Sequence, residues 1–447
     1  MLALSLLGLL ALSTPAVAGD VFVHYMGQGL KAESAAGDVA KAVAMGVDAF
    51  ALNIGQPDPT WSVESTQRLF NATKGTKLKI FFSLDLYATN DPERFRKTIN
   101  TYIKHPNYYT AGPSNLPMLS TFSNGNGWTA TSWNKFRDSL DSKTYFVPMF
   151  DQLPNYYTNP DAFWSSWKTG VDGVFTWEQA WPGRSNTHQN VSTDLDASLM
   201  RKAHSNSKAY MTGLSTFQYK HWDGSHWYRS GDVVMPEKMT QLLALSNTAG
   251  SRPDFIQIQS WNDAGEGHYI GPLRHEGLDE KQLVYANQND HPHEGWQPLF
   301  ASFIAAWKAN AKDASQMRTP AGSRTFVVGA MWHREFLATS SCAGTDGRPE
   351  GAGAAVDTIN WAVVLNDGVA GTYYVQVWSG GSLISKEKLL PGLNYRAVRG
   401  IKTGEQHVQV VDAAGKPIIE GGKQTKGILA NPTGNICTYN YQVAGLV

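Results

Sequence analysis

The chain has 447 residues, more than one hydrophobic core usually supports, so two domains are expected. Its 38 Lys and Arg balance 38 Asp and Glu, which argues against nucleic acid or an anionic membrane surface as partner. Charged residues are only 17% while Trp, Tyr and Phe number 15, 18 and 18, which suits a neutral, ring-shaped ligand whose apolar faces stack on aromatic rings.

Residues 1–18 hold a short apolar stretch ending in Pro15-Ala16-Val17-Ala18, the small-x-small pattern of a secretory signal peptide cleaved after Ala18. The stretch is too short for a comfortable membrane span, and no later run reaches the necessary length. A secreted, extracellular or cell-wall monomer is expected.

Short apolar runs then recur at 21–26, 48–54, 78–85, 117–122, 145–151, 171–177, 208–213 and 254–261. Helical patterns lie between them, at 33–45, 62–73, 92–104 and 235–246, with a closing helix at 296–311. Strands alternating with helices imply parallel strands joined by crossovers. Eight such units over about 250 residues predict a (β/α)8 TIM barrel, placed here at 19–315. After about residue 320 the helical period is lost. Alternating runs at 358–365, 371–378, 381–390 and 406–412, separated by turn dipeptides, predict a C-terminal all-β sandwich over 316–447. Asp412-Ala413-Ala414-Gly415 reads as a hairpin turn.

A barrel builds its active site at the C-terminal ends of its strands. That filter retains His24, Asn53, Asp85, Asp151, Trp177, Glu178, Ser215, Asn262, Asp263 and Glu266. The densest chemistry follows the eighth run, in Ser260-Trp261-Asn262-Asp263-Ala264-Gly265-Glu266-Gly267-His268-Tyr269-Ile270-Gly271-Pro272. Two carboxylates three positions apart stand among aromatics and small residues that let a ligand approach the backbone. A lone Asp-x-x-Glu is more often two solvated acids. Beside rings it is what sugar chemistry needs: one carboxyl to protonate a leaving oxygen, one to activate water or attack.

Trp261 to Leu273 closely resembles the signature of the fungal α-1,3-glucanases, the mutanases of glycoside hydrolase family 71. The runs at 21–26, 46–55, 82–85 and 174–182, Lys220-His221-Trp222 and His293-Glu294-Gly295-Trp296 resemble the family in the same order. The resemblance implies hydrolysis of internal α-1,3 bonds in α-1,3-glucan with inversion, by Asp263 and Glu266 as the catalytic carboxyls. The sequence does not decide their roles. Asp263 as general acid and Glu266 as general base is the working assignment, and Asp85 or Glu178 is the alternative partner if only one of the pair is catalytic. Inversion calls for carboxyls roughly 6.5–9.5 Å apart, which two side chains of one loop meet if they diverge.

Substrate contacts are expected from His24, Asn53, Asp85, Asp151, Glu178, Asn262 and His268, with Trp177, Trp181, Trp261 and Tyr269 as rings. For His24 and the two strand-top tryptophans, wall packing is an equally good reading. The chain departs from the family at Ala264, where an aromatic is usual, and at Gly267, where Ser is usual. Loss of that ring would remove one stacking surface. The segment from Lys220 to Asp232 is unusually rich in Trp and His.

Cys342 and Cys437 lack a metal-type partner and are expected to form one disulfide. No cofactor and no metal is expected, since His291-Pro292-His293 has no nearby carboxylate cluster. The competing readings are a barrel glycosidase of another linkage and a polysaccharide-binding protein that has lost catalysis. Retention of both acids argues against the latter.

Overall fold

The computed structural model describes residues 19–125, 127–222, 224–249, 251–432 and 436–447, so the expected signal peptide lies outside the described residues. At its centre is a nine-stranded sheet in which every strand but the short Thr110–Ala111 runs parallel. The parallel strands are Asp20–Met26, Ala49–Ile54, Lys79–Asp85, Leu116–Phe122, Tyr145–Phe146, Gly173–Thr176, Ala209–Ser215 and Phe255–Gln259. The first pairs with both the second and the last, which curls the sheet on itself. Helices such as Ala32–Met45, Thr60–Thr73, Asp194–Ser205 and Val234–Ala249 make the crossovers, and Gln297–Lys308 follows the last strand.

The fifth strand is shorter than its apolar run, because Pro148 offers no N–H to a ladder. Beyond it, Met149 bridges Phe122 on one side and Phe175 on the other, and the Phe175 N–H donates to the Pro148 carbonyl at 2.8 Å.

Ala49–Ile54, Ala209–Ser215 and Phe255–Gln259 are buried at every residue. Helices cover one face and packed side chains fill the other, so these strands have no wet side. The alternation at 255–259 therefore separates two buried surroundings, one holding Ile256 and Ile258 and the other Gln257 and Gln259, where Gln257 Nε2 lies 3.2 Å from His24 Nδ1 and Gln259 Nε2 donates to the Trp177 carbonyl at 3.2 Å.

C-terminal to this lie two four-stranded antiparallel sheets. One orders Gly392–Val398, Ile359–Leu365, Val327–Arg334 and Tyr441–Leu446, the other Ser382–Lys388, Tyr373–Ser379, Gln406–Asp412 and Pro417–Gly421. Met331, Val363 and Leu446 of the first share a core with Val375, Val377 and Val410 of the second. The turn after Asp412 joins two paired strands, as expected. The strands at Val327–Arg334, Gly392–Val398, Pro417–Gly421 and Tyr441–Leu446 escaped the sequence reading. The sheets seat against the parallel-stranded unit, where Trp332 Nε1 donates to the Asp232 carbonyl at 2.7 Å and His293 Nε2 lies 3.2 Å from the Tyr441 carbonyl oxygen. Cys342 and Cys437, 95 residues apart, are joined as a disulfide with Cα atoms 5.9 Å apart.

Candidate active site

The acid loop is fixed to the strand ends by its backbone. The Trp261 N–H donates to the His24 carbonyl at 2.7 Å, and the Ile270 N–H to the Ser260 carbonyl at 3.0 Å. Asn262 staples the loop to the first strand, its Oδ1 accepting from the Met26 N–H at 2.8 Å and its Nδ2 donating to the Met26 carbonyl at 3.1 Å. The second wall is a hairpin, Gln218–Trp222 paired with Ser225–Arg229, inserted between the seventh strand and its helix. The Tyr219 N–H donates to the Glu266 carbonyl at 2.9 Å, tying hairpin to loop. Gly267, at φ 71°, lies where an added Cβ would meet the Tyr219 carbonyl oxygen at 2.9 Å. The hairpin backbone thus occupies the space a side chain at 267 would need.

Between loop and hairpin opens a cavity of about 610 Å³. Of the expected residues, His24, Asn53, Asp85, Trp177, Glu178, Asp263 and Glu266 line it. Trp181 lines an adjoining cavity of about 670 Å³ that shares Gln152, Glu178 and Arg184 with the first. The other expected residues lie behind the walls. Trp261, His268 and Tyr269 are fully buried, and Tyr269 stacks on His293 at 3.9 Å. Asp151 is buried beneath Glu178, whose N–H it accepts at 2.9 Å. Ala264 packs with Tyr269, Leu273 and Ala286, so its missing ring removes nothing from the cavity wall.

The sequence reading missed the exposed rings, Tyr87 at 60% and Trp222 at 40%, and the polar lining residues Gln218 and Lys220. The Trp- and His-rich run from Lys220 was the only signal for the hairpin. The larger cavity, about 780 Å³, lies at the opposite strand ends. Its acids already have partners, Asp254 with His204 at 2.8 Å, Asp172 with Arg137 at 2.6 Å and Asp20 with the Tyr109 hydroxyl at 2.5 Å.

Glu266 and Asp263 differ in company. Glu266 Oε2 accepts from Gln218 Nε2 at 2.5 Å and lies 3.3 Å from His268 Nε2, while Oε1 accepts from Lys220 Nζ at 3.2 Å. Burial pushes its carboxyl up, but His268, Lys220 and Gln218 together overcome that and hold it well below the usual carboxylate range. Asp263 Oδ1 accepts the Glu266 N–H at 3.0 Å, and its Oδ2 stands 3.9 Å from His268 Nε2. Burial, with the neighbouring Glu266 charge, raises the Asp263 carboxyl despite His268. His268 itself is pushed down by burial but raised overall by the two carboxylates. One oxygen of each acid and the His268 nitrogen lie within 4.8 Å of one another, so the side chains converge and do not diverge as inversion led one to expect.

Burial raises Asp85 to about 6 and Asp151 to about 7. A carboxyl whose folded value lies above its unfolded one stabilises the fold fully below the unfolded value and loses that contribution as pH rises through the folded one. Stability should therefore fall between about pH 4 and pH 7, by a few kcal/mol at most from Asp151. Urea titrations at pH 5 and pH 7.5 should show the wild type weaker at pH 7.5 and Asp151→Asn with a smaller difference. An unchanged difference in the variant would remove Asp151 as the source.

Among solved structures, an endo-alpha-mannosidase of family GH99 from Bacteroides thetaiotaomicron superposes at TM-score 0.49 with 13% identity, over 65% of this chain and 98% of that one. A mutanase of Penicillium rubens is 29% identical over 80% of this chain and 74% of its own. A glucan endo-1,3-alpha-glucosidase and an ascus wall endo-1,3-alpha-glucanase, both of Schizosaccharomyces pombe, are 26% and 24% identical, and this chain spans 61% and 53% of their lengths. The family model that describes glycosyl hydrolase family 71 matches residues 18–447, which takes in the acid loop, the hairpin and both C-terminal sheets. The chain is a member of glycosyl hydrolase family 71.

Proposed function

We propose that this chain hydrolyses α-1,3-glucosidic bonds within α-1,3-glucan, with Asp263 as general acid and Glu266 as general base. The observation that carries the reading is the split in company between two carboxyls of one loop, Glu266 held by Gln218, Lys220 and His268 and Asp263 Oδ2 with His268 only at 3.9 Å, at the wall of an aromatic-edged cavity. Such a split assigns acid and base by environment. Asp263 protonates the glycosidic oxygen, and Glu266, kept ionised by His268, Lys220 and Gln218, takes the proton of the attacking water. Internal cleavage is supported by the adjoining cavity along Trp181, Pro182 and Arg184, which extends the cleft beyond the acids.

A second reading keeps Glu266 and gives the acid role to Asp85. The closeness of Asp263 and Glu266 favours it, because single displacement needs room for a water between the carboxyls. The parallel strands are taken to close as a (β/α)8 barrel over 19–315, supported by the bridges of Met149, with the two antiparallel sheets over 316–447 as a sandwich. Secretion rests on the pattern of residues 1–18. Among the described residues no helix is long and apolar enough to cross a membrane.

Incubation with insoluble α-1,3-glucan, α-1,4-glucan and β-1,3-glucan tests the substrate. Soluble oligomers should appear from the first alone. A neutral polymer gives salt no charge to screen, so the rate should change less than about twofold between low and 0.5 M salt. Release from the α-1,4 or β-1,3 polymer at a comparable rate would overturn the assignment.

A further inference from the structure

The His-rich hairpin holds a second cluster that the acid pair does not use. His221 and His226 face each other directly across the two hairpin strands, with ring centroids 4.1 Å apart. Such directly opposed residues project to one side of the ribbon. From the C-terminal part of the chain Asp346 reaches the same point, its Oδ2 2.7 Å from His221 Nε2. One donor atom from each of the three lies within 4.8 Å of the other two.

The cluster is held from outside as well. Asp346 Oδ1 accepts the Cys437 N–H at 2.8 Å, and Oδ2 accepts the Tyr285 hydroxyl at 2.7 Å. Cys437 is tied by its disulfide to Cys342, so the bridge anchors both chain segments that place Asp346. The Tyr285 ring stacks on His221 at 3.6 Å and 17°, fixing the imidazole plane. The Tyr219 hydroxyl lies 3.5 Å from His226 Nε2. The side chains of His221 and Asp346 remain 22% and 18% exposed, which leaves a path from solvent.

We propose that His221, His226 and Asp346 form a binding site for a zinc-like divalent transition-metal ion. Two imidazoles and one carboxylate are the donor set such ions take, with the fourth position left to water. Donors around a tetrahedral ion at about 2.0–2.2 Å stand about 3.4 Å apart, so the three donors need only small side-chain shifts from separations that are all within 4.8 Å. Tyr285 and the Cys437 N–H orient the ligating carboxylate, as outer partners of metal sites do. The site's place in the molecule gives it a consequence. Trp222, beside His221, lines the acid cavity, and Lys220 on the same strand pairs with Glu266, so an ion here stiffens the wall that holds both.

The test uses the full chain, stripped with chelator and titrated with Co²⁺ and then Zn²⁺. One equivalent of Co²⁺ should give a visible absorption band that Zn²⁺ abolishes, and Zn²⁺ in large excess over its Kd should raise Tm by several degrees. His226→Gln and Asp346→Asn should each weaken the metal at least about tenfold, and Tyr285→Phe should weaken it by a similar factor. Glu266→Gln alters the other cluster of acids and histidine, Asp263–Glu266–His268, and should leave the titration unchanged. Absence of saturable one-to-one uptake by the wild type overturns the proposal, whatever the variants do. So does uptake that survives His226→Gln and Asp346→Asn, or that Glu266→Gln abolishes, since the ion would then sit elsewhere.

Discussion

Glu266→Gln should lower kcat on α-1,3-glucan by about 10²–10⁴-fold, and Asp263→Asn by a similar factor, with circular dichroism unchanged. Each substitution keeps shape and removes proton chemistry. The two losses should differ in kind. Gln at 266 puts a neutral amide among Gln218, Lys220 and His268, so one of the two charges that raise His268 is gone and the buried imidazole shifts toward its neutral form. Asn at 263 removes the proposed proton donor and leaves that nest in place. Oligosaccharides with a leaving group that departs without protonation should therefore regain most of the rate with Asp263→Asn and little with Glu266→Gln. Near-wild-type kcat in either variant removes that residue from the mechanism, and equal rescue of both removes the division of roles.

The part of this site that was legible in the sequence lies along the strands. Period and turn residues placed every parallel strand but the fifth to within two residues, because each is a single apolar run bounded by breakers. The tops of those strands then gave His24, Asn53, Asp85 and the acid loop, all but Asn262 and the buried core of that loop facing the cavity. What failed was the sense of direction. Trp261 and Tyr269 look like platforms from their company, yet residues beside a catalytic pair are as often the packing that holds the loop. Trp261 packs on Phe50 with ring centroids 5.4 Å apart. The exposed rings came instead from segments with no strong period of their own, Tyr87 just past a strand and Trp222 at a hairpin tip. Lys220 and Gln218 reach Glu266 across a separation of 46 and 48 residues, and no local pattern encodes such a contact. Asp346 joins the hairpin histidines for the same reason, through tertiary packing alone.

The first products should carry the β-configuration at the new reducing end, read by proton NMR before mutarotation. Inversion follows if water attacks opposite the departing oxygen, which needs a gap of roughly 6.5–9.5 Å between the working carboxyls. Asp263 and Glu266 stand closer than that, but their freedom differs. Glu266 is held by Gln218, Lys220 and His268, whereas Asp263 Oδ2 has His268 only at 3.9 Å. Bound glucan can therefore turn Asp263 toward its glycosidic oxygen while Glu266 keeps its place beside the water. Asp85→Asn separates this from the alternative acid. Asp85 lines the cavity, and burial, then the charges of Asp263 and Glu266, keep its proton on to about pH 6. As a substrate contact it should cost about tenfold or less, chiefly in KM. As the acid it should cost kcat as much as Asp263→Asn does, and only one of those two variants should recover with a leaving group that needs no proton. A dominant α-anomer would mean that the close pair works by double displacement, with one carboxylate attacking the sugar, and would overturn single displacement for either acid.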